Sequence, residues 1–354
     1  MMFNSKKIIV FLLINIVWVV VWIMITISYD SYRDPILNYV PHSNDYLTNE
    51  PTNQLVPKAK KPKHVVMVGI DGMASYALKS GYSPNMNYLM HHGAYTLEAR
   101  DVLPTSSAAN WASVMFATDP IKHGVVDQDL WNIHHTIHAE VKADQVSIFS
   151  SIIDKYGPSK NLFGYASEGE MIANFQPKGQ ENIKTLISNN GNYYATENDK
   201  QTFENTKNVL INKPLFSFFY YVNPDLAGHS REWNSEEYYQ AISQTDKYIG
   251  GIIENLKDLE MWEDTLLIIS SDHGGVSQYH GHSSDAEQKI PLLFAGNCIP
   301  KYGIIPDKIK IYDIPATIAW LLDINSRPII WDGQPILTPF FDMTNMYDHS
   351  EEFK

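Results

Sequence analysis

Cysteine is almost absent from this sequence: Cys298 is the only one among 354 residues. A single cysteine excludes an intramolecular disulfide framework and a zinc cage built from cysteines. A sulfatase is disfavoured as well, since no cysteine or serine lies in a Cys/Ser-x-Pro-x-Arg context. Thirteen histidines remain as candidate metal ligands.

Positive charge is also scarce. The formal net charge is −13, and no basic run of useful length follows Lys63, which argues against a nucleic-acid-binding protein. A hydrophobic content of 44% with 19% charged residues is typical of a globular chain rather than a disordered one. The length suffices for one large α/β domain or two ordinary ones.

One long apolar run stands near the N-terminus, at residues 8–27. Its length predicts a transmembrane signal-anchor helix, and the lack of alanine before Ala59 argues against a cleaved signal peptide. Lys6 and Lys7 place residues 1–7 in the cytoplasm by the positive-inside rule. The rest of the chain is then expected to be extracellular, periplasmic or lumenal, although no Asn-x-Ser/Thr glycosylation sequon supports that placement.

The remainder divides into three predicted parts. Residues 28–63 are polar and contain five prolines, which predicts a linker without regular helix. Residues 64–340 form the predicted catalytic domain, and residues 341–354 an acidic tail.

Apolar strand-like runs alternate with amphipathic helical stretches through the predicted domain. We predict strands at 64–70, 94–103, 161–165, 215–222 and 265–270, and helices at 83–91, 108–116, 146–156 and 236–256. This alternation indicates an α/β fold, with a parallel sheet covered by helices on both faces. Residues 130–145 and 166–200 carry no readable motif, and we expect the second stretch to form a surface excursion or small cap that shapes a pocket.

Three of the predicted buried strands end in an aspartate: Asp71, Asp225 and Asp272. His229, His273 and His280 follow closely in the chain. Because the carboxyl ends of parallel strands meet at one edge of a sheet, we expect these side chains to converge. Carboxylates gathered there repel one another unless a cation lies among them, and Asp with His is a ligand set for zinc or manganese. Six such groups suffice for two ions.

A run of three hydroxyl residues, Thr105, Ser106 and Ser107, precedes an alanine-rich stretch that can start a helix. A hydroxyl in that position is either an ordinary helix N-cap or a nucleophile beside a phosphate-binding helix terminus. These residues alone do not choose between the two roles, or among the three hydroxyls. Asn110 is expected to face back toward the loop.

Taken together, the motifs resemble the alkaline phosphatase superfamily, in particular its type I phosphodiesterase/nucleotide pyrophosphatase branch. The matching motifs are Gly-Ile-Asp-Gly at 69–72, Pro-Thr-Ser-Ser-x-x-Asn-Trp at 104–111, Asp-Pro-x-x-His-Gly at 119–124, Asp-x-x-Gly-His at 225–229, Ser-Asp-His-Gly-Gly at 271–275, and His280-Gly281 with Ile290-Pro291. The resemblance implies an alkaline-phosphatase-like, mostly parallel sheet between helices.

The same resemblance implies two zinc ions, or manganese or another divalent ion in their place. Asp225, His229 and His280 would hold one, and Asp71, Asp272 and His273 the other.

Alignment on Asn110 places the family's nucleophile on Ser107, whose Oγ would bridge both ions and form a phospho-serine intermediate. Asn110 and Gln128 are the implied substrate-binding residues. Gln128 stands where many relatives have a shorter asparagine that contacts a phosphate oxygen. His282, next to His280, is expected to support the site or to be exposed.

The implied function is hydrolysis of phosphodiester or pyrophosphate bonds in a small phosphoester substrate. A phosphomonoesterase is the alternative, because classical alkaline phosphatases also use a serine nucleophile. No arginine lies near Ser107 as a phosphate clamp of the monoesterase type, Arg100 being the nearest in sequence. An inactive metal-binding surface protein is a third hypothesis, although suitable residues occupy all six ligand positions and the nucleophile position.

Overall fold

The computed structural model describes residues 61–126, 146–157, 162–167, 184–187, 198–297, 299, 303–324 and 330–340. These residues belong to one compact unit, Pro57–Lys354. The predicted segments 1–7, 8–27 and 341–354, most of the linker, Gln128 and the stretch 130–145 lie outside them. Within the described ranges, no helix is both long enough and apolar enough to cross a membrane.

The centre of the fold is an eight-stranded sheet with the spatial order β4-β3-β5-β1-β6-β7-β2-β8. The strands are β1 (His64–Ile70), β2 (Ala94–Arg100), β3 (Phe163–Ser167), β4 (Lys184–Ile187), β5 (Phe216–Tyr221), β6 (Thr265–Ser271), β7 (Lys289–Ala295) and β8 (Gly303–Ile304). β1 lies in the middle and runs parallel to β5 and β6. β7 runs antiparallel to both of its neighbours, β6 and β2. The sheet is therefore mostly parallel, in agreement with the prediction.

Helices cover both faces of this sheet. They are α1 (Pro84–His92), α2 (Ser107–Phe116), α3 (Pro120–His123), α4 (Ile148–Tyr156), α5 (Asn198–Leu210), α6 (Asn223–Arg231), α7 (Glu236–Asp258), α8 (Asp285–Gln288) and α9 (Asp313–Leu321). Val65 and Met67 of β1 belong to a buried cluster with residues of α2, α4 and α9. Val66 and Val68 belong to a second cluster with residues of α1, α5 and α7. Burial on both faces explains why the strand is apolar at nearly every position.

The described residues of the stretch 166–200 form regular structure, which the prediction of a surface excursion or small cap did not include. Residues Lys184–Ile187 form an edge strand that pairs in parallel with β3, and α5 begins at Asn198. The end of the predicted linker also contacts the domain, because Lys63 forms an ion pair with Asp264 at 2.8 Å. Part of each segment therefore belongs to the folded body.

Strand register places the predicted ligands at one edge of the sheet. Ile70, the last residue of β1, is paired with Tyr221 on one side and with Ser271 on the other. Asp71 and Asp272 each come one residue later in neighbouring strands. The expected convergence at the carboxyl edge is therefore present for these two aspartates.

Candidate metal centre

Asp71 lies at the middle of the site and is 1% exposed. The Tyr220 hydroxyl and the Trp111 indole N–H both donate to its Oδ2 atom. Its Oδ1 atom faces Ser107 Oγ at 3.3 Å and His273 Nε2 at 3.5 Å. One carboxylate oxygen is thus fixed by the protein core, and the other is turned toward the reactive groups.

Asp272 and His273 complete a fully enclosed group with Asp71, which we call the buried half-site. Asp272 Oδ1 accepts hydrogen bonds from the backbone N–H groups of Gly72 and His273, at 3.1 and 3.0 Å. Asp272 Oδ2 has no hydrogen-bond partner and lies 3.5 Å from His273 Nε2. These oxygen and nitrogen atoms are close enough together to bind one metal ion.

Asp225, His229 and His280 form a second group, which we call the open half-site because 43% of the His229 side chain is exposed. Asp225 and His229 lie one turn apart on α6, so their i,i+4 spacing puts both on one face. His229 Nε2 is 3.0 Å from His280 Nε2 and 3.6 Å from Asp225 Oδ1, and the latter two atoms are 3.8 Å apart. His273 also lies within reach of Asp225 and His280, so the two half-sites adjoin.

The three histidines share one tautomer. Each donates its Nδ1–H to a backbone carbonyl: His229 to Gln278 at 2.9 Å, His273 to Gly274 at 2.8 Å, and His280 to Thr105 at 2.7 Å. A carbonyl only accepts, so the Nδ1 atom must carry a proton, and Nε2 is the ring nitrogen that faces the site and can ligate a cation. The Nε2 atoms of His229 and His280 then face each other as two acceptors, an arrangement that a cation between them satisfies.

The charges of the site also fit divalent cations. Burial raises the pKa of Asp225 and of Asp272 well above the ordinary value, and the Asp71 charge adds to both shifts. Burial lowers the pKa of His273 and His280, which keeps these rings neutral and able to ligate. Asp225 Oδ1 and Asp272 Oδ2 are buried without a hydrogen-bond partner. Aspartate and histidine in this arrangement are suited to zinc or manganese.

Ser107 is the first residue of α2, and its hydroxyl adjoins the buried half-site. Ser107 Oγ lies 3.3 Å from Asp71 Oδ1 and 3.2 Å from His273 Nε2. The Ser106 hydroxyl is buried without a hydrogen-bond partner. Geometry therefore favours Ser107 as the hydroxyl that would share a metal ion with these ligands.

Thr105 joins the Ser107 turn to the loop that carries His280. Its hydroxyl accepts from Gly281 N–H at 2.6 Å and donates to the His282 carbonyl at 3.0 Å. The His282 side chain is 70% exposed, as expected for a residue outside the ligand set. Thr105 thus fixes the ligand loop against the nucleophile turn.

Asn110 does not reach the open face of the site. It is fully buried, and its Nδ2 donates to the carbonyls of Val102, Pro104 and Ser106 at 3.1–3.3 Å while Oδ1 accepts from Val102 N–H at 2.8 Å. It faces back toward the loop, as predicted. Its amide is engaged with the backbone that precedes the nucleophile, and the assignment of Asn110 to substrate binding stays a prediction. Gln128 lies outside the described residues.

Trp233 supports the open half-site and was not identified from the sequence. Its ring meets those of His229 and His280 at centroid distances of 5.0 and 5.8 Å, and its Nε1–H donates to the Gly72 carbonyl at 2.9 Å. A Cβ added at Gly228 or Gly275 would lie only 2.5 or 2.3 Å from the indole. Glycines beside predicted ligands were the available signal for a close approach.

The sequence of this chain is similar to that of a known protein family. Residues 65–285 match the sequence model of the type I phosphodiesterase / nucleotide pyrophosphatase family. Ectonucleotide pyrophosphatase/phosphodiesterase family member 1 of Rattus norvegicus is 25% identical over 218 residues, which are 59% of this chain and 24% of that protein. Human bis(5'-adenosyl)-triphosphatase ENPP4 is 24% identical over 221 residues, or 60% of this chain and 48% of that protein. The chain thus spans about a quarter to a half of the curated relatives it matches.

Solved structures agree on the fold. An inactive form of murine ectonucleotide pyrophosphatase / phosphodiesterase 5 in complex with AMP superposes with a TM-score of 0.59 at 16% identity, covering 75% of this chain and 96% of that one. The lipoteichoic acid synthase LtaP from Listeria monocytogenes gives a TM-score of 0.58 at 15% identity, covering 80% and 79%.

Proposed function

Because the chain belongs to the type I phosphodiesterase/nucleotide pyrophosphatase family, we propose that it hydrolyses phosphodiester or pyrophosphate bonds at a two-zinc site, with Ser107 as nucleophile. The observation that carries this proposal is the position of Ser107 Oγ, 3.2–3.3 Å from ligand atoms of the buried half-site. Asp71, Asp272 and His273 would hold one ion, and Asp225, His229 and His280 the other.

The reaction has two displacements at phosphorus. Ser107 Oγ forms a bond to phosphorus while the bond to the leaving-group oxygen breaks, which gives a phospho-serine. Water then attacks the same phosphorus from the opposite side, releases the phosphate product and restores the serine hydroxyl. When bound, the two cations would favour the serine alkoxide and offset charge on the phosphate oxygens. The N–H groups in the first turn of α2 add a positive potential beside Ser107.

We favour diesters and pyrophosphates over monoesters because the nearest arginine in sequence is engaged elsewhere. Arg100 forms an ion pair with Asp285 at 2.7 Å. A diester carries one negative charge less than a monoester and has less need of a cationic clamp. Small nucleotide esters are the proposed substrate class, in line with the AMP complex of the murine relative and with the name of the human relative, a bis(5'-adenosyl)-triphosphatase.

Two variants of the full chain test this proposal. Ser107→Ala is expected to keep its zinc content, measured by mass spectrometry, and to lose turnover of the p-nitrophenyl ester of thymidine monophosphate by at least ~1,000-fold. Ser106→Ala is the matched control and should retain activity. Unchanged turnover in Ser107→Ala would overturn the assignment, and a strong preference for p-nitrophenyl phosphate would establish the phosphomonoesterase alternative.

Residues 8–27 are proposed to anchor the domain outside the cytosol. The apolar run and Lys6 and Lys7 before it support this placement. Protease added to the cytosolic side of sealed membrane vesicles should leave the domain intact, whereas cleavage of the domain from that side would contradict this orientation.

A further inference from the structure

Helix α6 carries two ligands of the open half-site, yet it lacks a cap of its own. Its N-cap residue, Val222, has no polar side chain, and no side-chain cap hydrogen bond is made by that residue. The backbone N–H groups at the start of a helix have no acceptor within the helix and need one from elsewhere when they are buried. The angle at which α6 leaves β5 determines where Asp225 and His229 lie.

Asp199 supplies the missing cap from another helix. It lies in the first turn of α5, is fully buried, and is 24 residues away from Asn223 in sequence. Its Oδ1 accepts from Val222 N–H at 3.0 Å and its Oδ2 from Asn223 N–H at 3.1 Å. Two oxygens bound to two successive N–H groups fix both the position and the direction of the helix start.

His229 depends strongly on this support. Nearly half of its side chain is exposed, and its Nδ1–H bond to the Gln278 carbonyl restrains the ring rather than the helix. A small tilt of α6 would move His229 Nε2 away from His280 Nε2, now 3.0 Å distant. Metal ligands need to be held to within about 0.5 Å of their productive positions.

We propose that Asp199 is a positioning residue for the open half-site, which it serves by capping α6 without contacting any ligand. This inference rests on the proposed function, because it assumes that the half-site binds a cation. It predicts that loss of the cap weakens one metal site and leaves the buried half-site intact.

The fold contains a matched control. Asp246 of α7 caps α1 in a similar way: its carboxylate accepts from Asn85 N–H at 3.0 Å and from Met86 N–H at 2.8 Å, and in addition from Asn85 Nδ2 at 2.9 Å. Asp246 is also fully buried, and α1 carries none of the proposed ligands. Replacing either aspartate by asparagine puts an amide N–H where a backbone donor needs an acceptor, so both variants should unfold ~2–4 °C or more below the wild type. A comparison of the two separates general destabilisation from an effect on the metal.

The experiment measures Zn²⁺ binding to the full chain in mild detergent by competition with a chelating dye. It is done at pH 8, because burial raises the pKa of Asp199 to about 7. Wild type and Asp246→Asn should bind two Zn²⁺ with equal affinities, whereas Asp199→Asn should bind one ion normally and the second ~10–100-fold more weakly. Co²⁺ absorption spectra should show the same loss.

The other possible results would contradict either the role of Asp199 or the proposed function. Equal Zn²⁺ affinities in Asp199→Asn and wild type, or an equal loss in Asp246→Asn, would overturn the role of Asp199. A wild-type chain that binds no Zn²⁺ would instead overturn the proposed function. If circular dichroism shows that Asp199→Asn is unfolded, Asp199→Ser, which keeps one small acceptor, decides the question by the same measurement.

Discussion

Replacing Asp272 by asparagine should stabilise the metal-free protein, although Asp272 is a proposed ligand. Its Oδ1 is bound by two backbone N–H groups, but its Oδ2 is buried without a partner. Burial raises the pKa of Asp272 well above the ordinary value, and the charges of Asp71 and Asp225 raise it further. Asparagine keeps the accepting oxygen, removes the charge, and places an N–H donor in the region of His273 Nε2, which can accept it.

The sign of the pH dependence follows from this raised pKa. At pH values between the ordinary pKa of an aspartate and the raised pKa of Asp272, the folded protein binds more protons than the unfolded chain. The free energy of unfolding therefore falls as pH rises through this range. The slope is about 1.4 kcal/mol per pH unit for each proton. At pH values above this range, the free-energy cost of the buried Asp272 charge is fully present. Removing this unsatisfied group in Asp272→Asn should then raise the free energy of unfolding by about 1–3 kcal/mol.

Urea unfolding of the full chain, with EDTA and at several pH values between 5.5 and 8, measures this effect. The difference between Asp272→Asn and wild type should grow with pH, because only the wild type has to ionise the buried Asp272 carboxyl. Added Zn²⁺ should reverse the order and make the wild type the more stable protein. Asp246→Asn should be less stable than wild type throughout, since both Asp246 oxygens accept backbone hydrogen bonds. A metal-free Asp272→Asn protein less stable than wild type at pH 8 would refute the reasoning.

Two further substitutions test the support of the ligands. Gly275→Ala would place a Cβ 2.3 Å from the Trp233 indole, which must move by about 1 Å to regain ordinary contact. We therefore expect the Zn²⁺ affinity of this variant to fall ~10-fold or more. In the control variant Gly251→Ala, the new Cβ would lie 2.4 Å from Phe203, and we expect only a loss of stability. Equal Zn²⁺ affinity in both proteins would exclude this role of the indole. Thr105→Val removes the hydroxyl bonds to the His280 loop and should lower kcat, while Thr105→Ser should restore it; a normal kcat in Thr105→Val would contradict the argument.

The aspartates at strand ends could be predicted because their signal is local. A buried parallel strand is a continuous apolar run, and the residue after it must lie at the carboxyl edge. Asp71 and Asp272 are identified in this way, and the strand register confirms that they lie side by side. Helix α6 was missed, although Pro224 in its first turn and the i,i+4 spacing of Asp225 and His229 are typical of a helix.

Supporting contacts between distant segments could not be predicted. Thr105 meets the 280–282 loop across about 175 residues, and Trp233 meets Gly72 across 161. Asp199 is a similar case: a buried aspartate that caps a helix elsewhere in the chain has no local pattern. The antiparallel strand β7 was also missed. Pro291 is its third residue, and a proline disfavours a strand assignment.

The use of backbone carbonyls to set the three histidine tautomers has an evolutionary consequence. The carbonyls of Thr105, Gly274 and Gln278 are present whatever side chain stands at those positions. Point substitutions therefore cannot delete these hydrogen bonds as they delete a carboxylate partner. At Gln278, a half-buried residue beside the open half-site, the side chain can be replaced in a lineage while His229 keeps the same ligating nitrogen. Such a lineage can change its specificity without rebuilding its metal centre.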